Sequence, residues 1–307
     1  MKGLELSLRY FKDICWPAVR KHFGEKTSEM AFGLVGDGSE CYGFDDEISR
    51  DHDFGPRIMI WLTPENYLLF GAELNEFVLN LPKEYMGYKG VNKSLYGEGR
   101  EGVFSIPDFF KRFTGLDHPP ETLNEWIRIP EVNLSIATNG EVFSDASGEF
   151  TRFRDKLLSG YPGDVRLKML AARCMKMAQS GQYNYARCVK RGEFTAAHIA
   201  LSEFINAACS LIYLLNNRFK PFYKWMHKGL AGLPLLGSAV SPLLMDISLL
   251  KDHKKIIDTI ELICGLIIET LRRQGLSDSG SDFLLDHGPL IQQKIKDEYL
   301  RNMMPWE

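Results

Sequence analysis

The chain has 307 residues, of which 45% are hydrophobic and 25% charged, the proportions of a soluble globular protein with one large or two ordinary domains. A formal net charge of -3 gives no global attraction to nucleic acid or anionic lipid, which argues against long nucleic acid and membrane as partners. The six cysteines form no C-x-x-C pair, so reduced thiols and a cytoplasmic location are expected rather than a disulfide framework or zinc site.

Residues Met1 to Phe23 mix charges with apolar positions and predict an amphipathic helix, not the unbroken apolar core of a signal peptide. An apolar run then leads into Gly36-Asp37-Gly38-Ser39. Glycines there let the backbone turn tightly and present successive N–H groups to an anion, and the Ser39 hydroxyl can donate to a phosphate oxygen. Downstream, Ser49-Arg-Asp-His-Asp-Phe-Gly-Pro56 places Asp51 and Asp53 two residues apart, just before a strand expected over Arg57 to Thr63. In an extended segment both carboxylates face one way and can share a hard cation such as Mg²⁺. His52 would then point to the opposite face, and Asp45, Asp46 and Glu47 read as a solvated acidic loop.

Pro64 to Leu81 has helical spacing, and Gly102 to Ile106 and Val132 to Ile136 read as short strands. After residue 150 the pattern turns helical, with helices expected over Val165 to Ser180, Thr195 to Asn217, Ile256 to Gln274 and Leu290 to Met303. Gly181 and Gly275 stand where helix C-terminal caps are expected. Met169, Met175 and Met177 read as core. The most apolar stretch, Gly229 to Met245, is too short and too broken by Pro234 and Pro242 to span a bilayer. The expected organisation is a domain of mixed strands and helices over 1–150 and a helical domain over 151–307, an α+β fold.

Gly38-Ser39 followed by Asp51-x-Asp53 resembles the nucleotidyltransferase superfamily, and the text from Gly38 to Pro56 is similar to a bacterial branch of it. The similarity continues through Trp126 to Glu131, Gly140 to Asp145, Arg154 to Pro162 and Arg218 to Trp225. The resemblance implies a small mixed β-sheet with flanking helices, followed by a helical domain like that of aminoglycoside nucleotidyltransferases. It also implies transfer of a nucleoside monophosphate from a nucleoside triphosphate, ATP first among them, to a hydroxyl of a small molecule or protein. Asp51 and Asp53 would hold Mg²⁺ or Mn²⁺, and Gly38 and Ser39 would hold phosphate.

The superfamily's third carboxylate has no obvious counterpart, because Phe104 stands where the equivalent strand should carry it. Glu131, before the expected strand at Val132, is the best substitute as metal ligand or general base, and Asp145 is second. In the helical half, Arg187 and Arg191 share a helical spacing suited to gripping phosphate. Lys220, Tyr223 and Lys224, beside Pro221, form a basic aromatic segment that could stack a base and contact phosphates. The missing carboxylate keeps open a nucleotide-binding regulatory module without turnover, and a toxin–antitoxin-like partner protein is a third option. A homodimer is compatible with all three. No P-loop, dinucleotide-binding, zinc-protease or nucleophile-elbow motif is present.

Overall fold

A computed structural model describes residues 1–51, 54–90 and 99–306. They divide into two compact units, Met1–Glu121 with Arg128–Ser159, and Thr122–Ile127 with Gly160–Glu307. The main division falls at 159/160, just after the helix Glu149–Leu158.

The first unit opens with a helical stretch over residues 3–23, of which Phe11–Cys15 is a π turn. The wider turn keeps Leu6, Tyr10, Cys15, Val19 and Phe23 on one buried face. That face covers a four-stranded sheet of order β3-β2-β1-β4, made of β1 (Ala31–Leu34), β2 (Met59–Leu62), β3 (Gly102–Ser105) and β4 (Glu141–Asp145). β1 runs antiparallel to β2 and to β4, while β2 and β3 are parallel, so the sheet is mixed. The parallel crossover is made by the helical residues 64–79.

Period-two alternation sorts the sheet into two different cores. Phe32, Ile60, Leu62 and Val103 pack with Phe11, Phe23, Phe70 and Leu74. On the other face Trp61 stacks on Phe150 at 3.9 Å and meets Phe109 edge-on at 5.3 Å. Gly33 makes room for that indole, because a Cβ there would lie 3.0 Å from Trp61 and 2.4 Å from the Glu141 carbonyl. Helices therefore flank both faces of a small mixed sheet, which with the helical second unit makes the fold α+β.

The second unit is built around Phe194–Leu215, whose Leu201, Phe204, Ala208, Leu211 and Ile212 are buried. Among the described residues this helix, rather than Gly229 to Met245, is long and apolar enough to cross a bilayer by length and composition. Its buried positions make it the core helix of the unit.

Three expected elements come out differently. Val132 to Ile136 is not a strand but part of the helix Glu131–Thr138. Its five-residue alternation fits either structure, and Pro130, with φ preset for a helix start, decides it. Gly181 does not cap a helix; it lies inside the π-helical segment Ala178–Tyr185, where a Cβ would meet the Phe204 ring at 2.3 Å. Leu290 to Met303 is two short helices, Gly288–Gln293 and Glu298–Asn302, the second capped by Asp297 through the Leu300 N–H at 2.9 Å. Gly275, with φ +65°, does follow the helix His253–Arg273 as a C-terminal cap residue.

Candidate functional site

β1 delivers the chain into the glycine turn. Gly36 and Gly38 have φ of +116° and +133°, a region in which a side chain is strained. The turn is clamped from outside by one amide: the Gly36 N–H donates to Asn139 Oδ1, and Asn139 Nδ2 donates to the Gly36 carbonyl, both at 2.8 Å. Asn139 is held in turn, since Arg154 Nη2 donates to the carbonyls of Thr138, Asn139 and Gly140 at 2.8, 3.2 and 3.3 Å. The Gly140 N–H closes the ring on the Cys41 carbonyl at 2.7 Å.

Ser39 starts the 3-10 turn Glu40–Tyr42, and its carbonyl accepts from the N–H groups of Tyr42 and Phe44 at 3.2 and 2.9 Å. Among the described residues, no acceptor meets the N–H groups of Asp37, Gly38 or Ser39. Three successive donors left open on a rigid, half-buried turn have the form of an anion-binding nest.

Beneath the turn lies a buried ion pair. Arg57, 3% exposed, donates from Nη2 to Oε1 of Glu40, which is 6% exposed. Burial, reinforced by repulsion from Arg100, lowers the Arg57 guanidinium to about 10. The Glu40 carboxylate also packs against Gly38, where a Cβ would lie 2.5 Å from its oxygen. Asp45 is a second surprise. It is buried, not solvated: Oδ2 accepts from the Gly3 N–H at 2.9 Å and Oδ1 lies 3.8 Å from Lys2 Nζ. Lys2 also donates to the Asp45 carbonyl. The end of the turn is thereby fastened to the first helix.

Burial pushes the Cys41 thiol and the Tyr42 phenol up to about 12 each, although the Tyr42 hydroxyl bonded to Ser135 Oγ at 3.1 Å offsets part of the shift.

Asp51 stands at the end of the 3-10 turn Ile48–Arg50 with φ -67° and ψ -34°, exposed to solvent. The extended geometry expected at Asp51 is therefore not found; the turn is set by Asp46, whose Oδ1 accepts from the Ser49 N–H and hydroxyl, each at 3.0 Å. Asp53 and His52 lie outside the described residues. Phe104 in β3 meets Phe109 in a tilted contact at 6.1 Å and lies under Arg112 at 5.9 Å, so an aromatic contact occupies that place.

Glu131 does not precede a strand. It is the first residue of its helix and buried, a position where a carboxylate is favoured by the helix dipole. Asp145 ends β4 and caps the next helix: Oδ1 accepts from the Gly148 N–H at 3.0 Å and Oδ2 from the Thr151 N–H at 2.8 Å. Its two oxygens are committed to folding.

The remaining expected residues belong to the second unit. Arg187 is exposed on the helix Ala186–Lys190 with its guanidinium 4.6 Å from the Tyr183 ring. That helix continues from Gly163 without the expected break before Tyr183. Lys220 is half-buried and donates to Asn206 Oδ1. Tyr223 and Lys224 open the helix Tyr223–Leu230; Tyr223 is 70% exposed, and Lys224 Nζ lies 5.1 Å from the Trp225 ring.

Among the described residues, no three His, Cys, Asp or Glu side chains converge as a ligand set. Asp51 alone fits Mg²⁺ as one oxygen ligand, because that ion keeps several waters and takes other oxygens from phosphates. Sequence reasoning missed Glu40, Arg57, Asn139 and Arg154, which build the turn. The Asn139-Gly140 pair is a turn signal that could have drawn attention to the clamp. The Glu40–Arg57 pair has no local signature.

Comparison with known proteins adds little chemistry. A family model described as a domain of unknown function, DUF4037, matches residues 126–226. That span contains Glu131, Arg187, Lys220, Tyr223 and Lys224 but not Gly38, Ser39, Asp51 or Asp53. No curated protein matches the chain. A solved structure described as a nucleotidyltransferase-like protein from Exiguobacterium sibiricum 255-15 aligns over 85% of this chain and 75% of its own, at 10% identity and a TM-score of 0.36. An overlap that loose bears on no detail of the site.

Proposed function

We propose that the protein binds a metal–nucleoside triphosphate at the glycine–serine turn and transfers a nucleoside monophosphate to a hydroxyl acceptor. The observation that carries this reading is the turn itself: three consecutive N–H groups without an acceptor among the described residues, on a loop locked by Asn139 and by Glu40–Arg57. Preorganised donors of this kind favour an oxyanion because they need not reorganise when it arrives. Gly38 gives the closest backbone approach, and the Ser39 hydroxyl adds a fourth donor. Asp51 and Asp53 would hold Mg²⁺ or Mn²⁺, which supplies neutralisation of phosphate charge and alignment of the reacting oxygens. ATP is the expected donor, the acceptor a small molecule or a protein, and the compartment the cytoplasm.

Within the second unit, taken by itself, Lys220, Tyr223, Lys224 and Arg187 are proposed nucleotide-binding residues, by their cations and a stacking ring. Glu131 remains the proposed base for the acceptor hydroxyl, acting from a helix start rather than a strand. The test is incubation of the purified chain with labelled ATP, Mg²⁺ and a metabolite or lysate pool. Label transfer that disappears in Asp51→Ala/Asp53→Ala supports the reading, and no transfer with any nucleotide contradicts it.

A second reading, nucleotide binding without turnover, is favoured by Phe104 in its tilted contact with Phe109 and by Asp145 spent as a helix cap. Mg²⁺-dependent ATP binding with no pyrophosphate released would select it.

A further inference from the structure

Asn139-Gly140 is the only Asn-Gly pair in the chain, and the fold fixes both residues. The Asn139 amide uses both its ends on Gly36 and makes a further side-chain hydrogen bond with Tyr42. Gly140 has a φ of +65°, and a Cβ there would lie 2.0 Å from the Leu34 carbonyl oxygen. The clamp on the glycine turn therefore depends on a chemically labile dipeptide. With no side chain on Gly140 to hinder it, the Gly140 nitrogen can attack the amide carbon of the residue before it.

In the closed turn three locks oppose this attack. The Gly140 N–H donates to the Cys41 carbonyl at 2.7 Å, so the nucleophile is engaged elsewhere. Ring closure needs that nitrogen eclipsed with the Asn139 Cβ, and a ψ of -171° holds it out of that alignment. Arg154 resists the rotation, because its Nη2 grips the carbonyls of Thr138, Asn139 and Gly140. None of the locks is covalent, and Asn139 and Gly140 are half-buried rather than sealed, so a local opening frees them to react with water at hand.

We propose that Asn139-Gly140 is a self-modification site through which the glycine turn is switched off irreversibly when its clamp opens. The Gly140 nitrogen bonds to Asn139 Cγ as the Cγ–Nδ2 bond breaks, and ammonia leaves with the proton that nitrogen gives up. Water then opens the five-membered imide at either carbonyl, leaving aspartate or isoaspartate. Neither product has an N–H for the Gly36 carbonyl, and each sets a negative charge against the turn that would hold an anion. Isoaspartate also lengthens the main chain by one carbon, which shifts the Gly140 N–H from the Cys41 carbonyl. The loss of anion binding rests on the function proposed for the turn; the reaction itself does not.

The test ages the full chain at mildly alkaline pH and follows the peptide carrying residues 139–140 by mass spectrometry, with isoaspartate methyltransferase labelling. Conversion is expected to be at least about tenfold slower in the native chain than in guanidinium chloride, where the locks are gone. Arg154→Gln, which releases the three carbonyls, should speed native conversion about fivefold or more, the worth of one hydrogen bond. If that variant does not fold, guanidinium chloride below the unfolding transition should raise the wild-type rate in its place. Titration with inorganic pyrophosphate then compares the fresh chain, the converted chain and Asn139→Asp, with binding expected in the fresh chain alone. Equal rates in the native and unfolded chain, or a native rate that opening the locks does not move, would overturn the proposal. Pyrophosphate binding retained after conversion would overturn the switch alone, whereas no binding by the fresh chain would overturn it together with the function proposed for the turn.

Discussion

From Gly36 to Asp45 the chain is locked by Asn139, Glu40–Arg57 and the first helix, whereas from Asp46 to Asp51 it is mostly exposed and held by the Asp46–Ser49 turn and by the surface contacts of Arg50 with the Met1 carbonyl and the Tyr88 ring. The difference separates two tasks. A nest of N–H groups works only if its backbone cannot relax, so its support is buried and non-local. A carboxylate that meets a hydrated cation needs no such scaffold. Substitutions under the turn should therefore cost stability first, and substitution of the exposed Asp51 should cost ligand binding more than stability.

The largest effect expected on the locked side is Glu40→Ala, which strands a buried guanidinium. Breaking a buried pair in this way costs about 3–5 kcal/mol, measurable as a drop in the urea unfolding free energy. A loss below about 1 kcal/mol would mean the pair is not buried as described. Gly38→Ala comes next. Its φ of +133° and the Glu40 oxygens 2.5 Å from a Cβ give a cost of about 1–3 kcal/mol, with nucleotide binding lost as well.

Asn139→Ala removes both amide bonds to Gly36 and is expected to cost about 1–2 kcal/mol. If it weakens nucleotide binding more than stability, the clamp serves the nest and not merely the fold.

A further stability effect, absent near neutral pH, is a pH dependence carried by Cys41. Its thiol rises from 9.0 to about 12 in the native state. The unfolded chain binds fewer protons above pH 9, so the stability this group contributes is present below pH 9 and lost as pH rises toward 12. Cys15 and Cys174, also raised to about 12 by burial, act in the same direction. Urea titrations across that window should show falling stability, with a shallower slope in Cys41→Ser.

Much of this was legible in the sequence because it is local. Glycine at Gly36 and Gly38 announces positive φ, β-branched and aromatic residues announce β2, and three- and four-residue spacing announces the long helices. What was not legible is pairing at a distance. Asp45 looked like one of three solvated acids, and nothing near it in sequence points to Gly3. Asp145 looked like a spare carboxylate until Gly148 and Thr151 claimed both oxygens. Glu131 was placed by a strand that proved to be a helix, since five alternating residues cannot distinguish the two.

The most direct test of the account is calorimetric titration of ATP into the wild-type chain and into Asp51→Asn/Asp53→Asn, with and without Mg²⁺. The account predicts saturable, Mg²⁺-dependent binding to the wild type, lost in the variant while its circular dichroism stays that of the folded chain. No binding to the wild type, or equal binding to the variant, would contradict it.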